Sequence, residues 1–61
     1  MEKEYVLEYW MVDGEKFLGD PEFTKPAIEA MQRGQQMVIA SPNVLVNTRN
    51  VVYVTKVEVV S

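Results

Sequence analysis

The side chains of this chain that are equipped for chemistry are mostly carboxylates. There are nine acids and six bases, with no histidine and no cysteine. Three carboxylate pairs stand close in sequence. Glu4 and Glu8 share one face of a strand pattern, Asp13 and Glu15 flank an Asp-Gly turn, and Asp20 and Glu22 bracket Pro21. Two carboxylates perform general acid–base work when an apolar cleft drives their pKa values apart, and none of these pairs lies in such a setting. Asp20 and Glu22 offer too few oxygen ligands for a firm hard-cation site, so turn and capping duty is the expected role. Without histidine or cysteine the chain lacks the usual neutral-pH base, the usual thiol nucleophile and most transition-metal ligands. The three glycines, Gly14, Gly19 and Gly34, are isolated and make no phosphate-cradling loop. The sequence therefore reads as a non-enzyme with no catalytic residue, no cofactor and no metal site.

Aromatic residues are the other candidates. Tyr5, Tyr9 and Tyr53 on a small sheet have the chemistry to stack bases, but that mode also needs a basic groove. Core and interface packing is the expected use of these tyrosines. Trp10 and Phe17 are the most suggestive pair. With a two-residue Asp13-Gly14 loop of the type I′ kind, Trp10 lies opposite Phe17 and Tyr9 opposite Leu18. One face of the hairpin then holds Tyr5, Leu7, Tyr9, Met11 and Leu18, the expected core side. The other holds Val6, Trp10, Val12 and Phe17 among Glu4, Glu8 and Glu15, as alternation along a strand requires. Trp10, Phe17, Val6, Glu4, Glu8 and Glu15 are accordingly the candidate partner-binding residues, tryptophan and other aromatics being enriched at binding hot spots.

The elements that must position these groups follow from periodicity. Strands are expected over about Glu4–Val12, Lys16–Gly19, Gln35–Val46 with a bend at Ser41-Pro42-Asn43, and Val51–Val60. A helix is expected near Lys25–Arg33, with Thr24 as N-cap, Pro26 in its first turn, Phe23 stapled to Ile28 and Gly34 as its left-handed closing residue. The order is ββαβββ: a single α+β domain over residues 1–61, a small antiparallel β-sheet with one short helix across a face. The valine-rich last strand is hazardous at an exposed edge, so it is expected to be central or to pair with another chain.

A chain of 61 residues has a core worth only ~3–5 kcal/mol. Small domains compensate with disulfides, metals or oligomerisation; the absence of cysteine excludes the first, and a zinc site would lack its usual cysteine and histidine ligands. Both faces of the expected sheet carry large apolar side chains, more than one short helix covers. A homo-oligomer is therefore expected, with Val52, Val54 and Val60 as candidate interface residues. No apolar run approaches the ~20 residues that span a bilayer, so no membrane association is expected. The Met-Glu-Lys-Glu start lacks the basic and apolar regions of a signal peptide, which makes the cytoplasm the expected location.

Net charge is −3 and uneven: residues 1–22 contain seven acids and two bases, residues 23–61 two acids and four bases. An acidic first hairpin repels nucleic acid and attracts a basic protein surface. The leading expectation is a small acidic protein-binding module that self-associates and modulates or inhibits a larger protein partner. The alternatives are a structural subunit of a larger assembly and a small nucleic-acid-binding sheet. The run strand–Asp-Gly–strand–helix–Gly–strand resembles, in element order and size only, the small acidic phage inhibitors of uracil-DNA glycosylase. That resemblance implies nucleic-acid mimicry as one route to inhibition.

Overall fold

A computed structural model of the chain describes residues 3–59. The elements run β1 (Glu4–Met11), β2 (Lys16–Leu18), a 3-10 turn (Pro21–Phe23), α1 (Thr24–Gln32), β3 (Met37–Ser41), β4 (Val44–Asn47), a second 3-10 turn (Thr48–Asn50) and β5 (Val51–Val59). This is the expected α+β class in the expected order. The strands form two sheets rather than one. An antiparallel three-stranded sheet has the order β2-β1-β5, and a separate antiparallel hairpin joins β3 to β4.

The division into two sheets explains how the surplus of apolar strand is handled. Leu7 and Tyr9 of β1, Ala27 and Ala30 of α1, and Val38, Ala40 and Val46 of the second hairpin form one buried cluster, with Met11, Phe17, Ile28, Met31, Val51 and Val54 packed on it. The inner face of the larger sheet is thus covered by the chain's own second hairpin as well as by the helix. The outer face contributes no residue to this cluster.

The first hairpin departs from the expected register by one residue. Its pairs are Trp10–Lys16, Tyr9–Phe17 and Glu8–Leu18. The Met11 amide donates to the Glu15 carbonyl at 2.8 Å, and the Gly14 amide to the Met11 carbonyl at 3.0 Å. Only Gly14 (φ +91°) takes positive φ in this loop, whereas Asp13 does not. This is a three-residue loop, a type I turn closed by a left-handed glycine, not the two-residue type I′ loop, which needs positive φ at both central positions. The Asp13 side chain braces it by accepting from the Glu15 amide at 3.1 Å.

α1 follows directly on the first 3-10 turn. Thr24 does not cap it through its side chain: its hydroxyl donates instead to the Tyr5 carbonyl at 2.6 Å, tying the helix start to β1. The far end closes as the sequence suggests. Gly34 has φ +79°, and the Gly34 and Gln35 amides donate to the Met31 and Ala30 carbonyls, both at 3.0 Å. This is the paired-bond arrangement that satisfies the last carbonyls of a helix. Ala40 forms a bulge in β3, where Ile39 faces Leu45 and Ser41 faces Val44. Asn43 in the intervening turn keeps a negative φ.

Candidate interaction surface

The outer face of the three-stranded sheet is built by alternation along β1. Tyr5, Leu7, Tyr9 and Met11 point inward; Glu4, Val6, Glu8 and Trp10 point outward. Opposite the outward residues on β5 stand Val59, Val57, Thr55 and Tyr53, in that order, while Leu18 and Lys16 of β2 face Glu8 and Trp10. Trp10 stacks on Tyr53, with ring centroids 5.3 Å apart and planes 16° from parallel. The Lys16 ammonium lies 4.8 Å from the Trp10 ring centroid, in cation–π range. The tryptophan is thus held from both neighbouring strands. Its Nε1 is shielded from solvent without an acceptor among the described residues.

Of the six residues expected to bind a partner, the structure brings Trp10, Val6, Glu4 and Glu8 to this face and sends Phe17 and Glu15 elsewhere. Phe17 faces inward and stacks on Tyr9 (5.3 Å, 18°). Glu15 is exposed at the loop, opposite inward-facing Met11. The cause is the one-residue shift of the hairpin, which exchanges the faces of every β2 side chain. Leu18, 58% exposed, takes the outward place expected for Phe17. Val6 points to this face and lies outside the main cluster, yet it is only 6% exposed, so it offers little surface for direct contact.

The expected oligomer residues are also redistributed. Between Trp10–Tyr53 and Met11–Val51 the register slips, leaving Val52 as the extra residue of a β5 bulge. Strict alternation is interrupted there: Val51 and Val54 both pack on the core, while Val52 is 61% exposed. Val54 is therefore a core-packing residue, not part of an exposed patch with Val52. Val60 lies outside the described residues. β5 itself is an edge strand of its sheet, as β2 is on the other side, and β1 is central.

Lys16, Leu18 and, on β5, Tyr53, Thr55, Val57 and Val59 are members of the outer face outside the expected partner-binding set. A three-residue reading of the Asp-Gly loop finds Lys16 and Leu18. Tyr53 depends on the β1–β5 pairing between the two ends of the chain, for which the sequence carries no local signal.

Two other surface features stand apart from this face. Met37, Ile39 and Leu45, 47%, 48% and 64% exposed, lie on the outward side of the β3–β4 hairpin. A cleft of about 780 Å³ opens where the first 3-10 turn and the start of α1 meet β1 and β5. Tyr5, Pro21 and Ile28 give it an apolar lining, and its charges are mixed: Lys3, Lys25 and Lys56 with Glu4, Glu22 and Glu29. Lys56 sits over the Tyr5 ring at 4.8 Å. Among the described residues no cluster of three or more acids is placed to hold a metal ion, and no helix is long and apolar enough to cross a membrane. No protein-family model, curated protein or solved structure matches this chain.

Proposed function

We propose that the protein is a non-enzymatic, self-associating module that binds a larger protein partner, which it modulates or inhibits, through the outer face of the β2-β1-β5 sheet. The observation that carries this reading is the Trp10–Tyr53 stack on the face of the sheet turned away from the core cluster. A tryptophan already held by a stacked ring and a lysine loses little side-chain freedom on binding, which favours affinity. Glu4 and Glu8 on the same face suit a partner with an apolar centre and a basic rim.

Phosphate mimicry is less well supported. Glu4 and Glu8 are about 13 Å apart along an extended strand, against a rise of about 3.4 Å per phosphate along one DNA strand, and apolar Val6 lies between them. A structural-subunit role is favoured by one observation, the exposed Met37, Ile39 and Leu45 on the second hairpin, a face suited to permanent burial in an assembly.

The test compares immobilised wild type, Trp10→Ala and Leu45→Ala in host lysate, followed by titration of any retained protein in purified form. The partner is expected to bind wild type and Leu45→Ala and to be lost from Trp10→Ala. It is also expected to shift the fluorescence of Trp10, the one tryptophan in the chain. Loss with Leu45→Ala and retention by Trp10→Ala would transfer the contact to the second hairpin and favour the assembly role.

A further inference from the structure

The self-association in the reading above acquires a definite geometry from the open edge of β5. In the central strand of an antiparallel sheet, successive residues direct their N–H and C=O groups to alternate neighbours. In β1 the Met11 amide bonds to Glu15, and the Leu7 carbonyl accepts from the Gly19 amide, so the odd-numbered residues face β2. Glu4, Val6, Glu8 and Trp10 therefore bond towards β5, where they meet Val59, Val57, Thr55 and Tyr53. That leaves the backbone groups of Val54, Lys56 and Glu58 directed to the free edge.

We propose that a second copy of this chain pairs with that edge, antiparallel, about a twofold axis at Val57. The two three-stranded sheets then join into one six-stranded sheet, an isologous arrangement in which each copy offers the same strand. The register is chosen by charge. Only self-pairings that set one edge-facing residue against another preserve the hydrogen-bond ladder. An axis at Lys56 places lysine opposite lysine, and an axis at Glu58 places glutamate opposite glutamate. An axis at Thr55 sets Lys56 against Val54 and drives Glu58 onto the bulged Val52, where the ladder is interrupted. The axis at Val57 sets Lys56 of each copy opposite Glu58 of the other, with Val57 against Val57 and Thr55 against Val59. Charges on an edge strand ordinarily discourage pairing. Here the two are opposite in sign and two residues apart, so they oppose the neighbouring registers and favour this one. Glu58 is weakly held at present, meeting Lys3 at 3.7 Å with both side chains exposed, while Lys56 lies over the Tyr5 ring at 4.8 Å.

The chain has no cysteine, so single-cysteine variants report the register directly. At a non-hydrogen-bonded pair the Cα atoms approach to about 4.5 Å, within disulfide range. Val57→Cys is expected to become a covalent dimer under mild oxidation while Thr55→Cys stays mostly monomeric. Lys56→Glu should weaken the dimer about tenfold, since two opposite-charge pairs become like-charge pairs, and Lys56→Glu with Glu58→Lys should restore it. Sedimentation equilibrium and circular dichroism on each variant separate association from folding. A dimer that cross-links through Thr55→Cys and not through Val57→Cys overturns this register and leaves self-association standing. A folded wild type with a single-chain mass at every concentration overturns both.

Discussion

Leu7 and Trp10 lie three residues apart on β1 and face opposite ways, so they report different properties. Leu7 is 4% exposed, among Ala27, Ala30 and Val38 of the core cluster. Leu7→Ala should cost ~2–5 kcal/mol, comparable to the ~3–5 kcal/mol expected of so small a core, and is expected to unfold most of the population. Trp10→Ala removes a partly buried ring that lies outside the core cluster and is expected to leave a folded domain with weakened partner binding. Thermal melts followed by circular dichroism, beside the binding assay, check both; an unfolded Trp10→Ala with an intact Leu7→Ala would mean that the faces are reversed. Tyr9 supplies a pH signature. Burial raises its phenol above the ordinary value of 10.0. Once pH passes that value the unfolded chain releases a proton that the folded chain retains, so stability is full below it and falls as pH rises towards the folded pKa. Tyrosinate absorbance in an alkaline titration should show Tyr9 ionising above its ordinary value of 10.0, or together with unfolding. Ionisation of Tyr9 at that ordinary value in a protein that stays folded would contradict the burial.

At the level of elements, small irregularities decide which side chains share a face. The third loop residue of the first hairpin moves Phe17 inward and Leu18 outward. The Val52 bulge brings Val51 and Val54 to the core together. Gly19 marks a third such point, where β2 ends against the second hairpin. Its amide bonds to Leu7, and the next amide, that of Asp20, bonds to the Ala40 carbonyl at 2.9 Å. A Cβ at Gly19 would stand 2.8 Å from that carbonyl oxygen and 3.2 Å from the Tyr9 ring. Gly19→Ala is therefore expected to lose about 1–3 kcal/mol through overpacking, read as a lower urea midpoint. A midpoint equal to wild type would show that the junction between the two sheets yields freely.

For the molecule as a whole, the distribution of charge governs which partners are accessible. Lys25 and Lys56 share the large cleft with Glu4, Glu22 and Glu29, whereas Arg33 borders a separate groove beside β3 and Arg49 lies in the second 3-10 turn. Counterion release requires several bases gathered on one surface, and the outer sheet face contributes Lys16 beside Glu4 and Glu8. No meaningful affinity for duplex or single-stranded nucleic acid is expected at about 150 mM salt, where exposed charges are screened beyond roughly 8 Å. Anisotropy of a labelled mixed-sequence oligonucleotide across a salt series checks this. Tight binding that weakens steeply as salt rises would favour the nucleic-acid reading over the protein-partner one.

The class, the element order, the alternation of β1 and the closure of α1 at Gly34 were legible because each rests on local periodicity or on one residue's backbone preference. Leu7 and Tyr9 could be assigned to the core for the same reason. The Asp-Gly turn was legible as a turn but not in its length: Gly14 satisfies either loop, and the difference of one residue exchanges the places of Phe17 and Leu18. Whether the five strands make one sheet or two, which strand stands at the edge, and that Trp10 meets Tyr53 rather than Phe17 depend on pairings between residues more than forty positions apart. Such pairings are selected by the packing of the whole core, in which the β3–β4 hairpin shares the covering of Tyr9 and Leu7 with the helix, and no window of neighbouring residues records that choice.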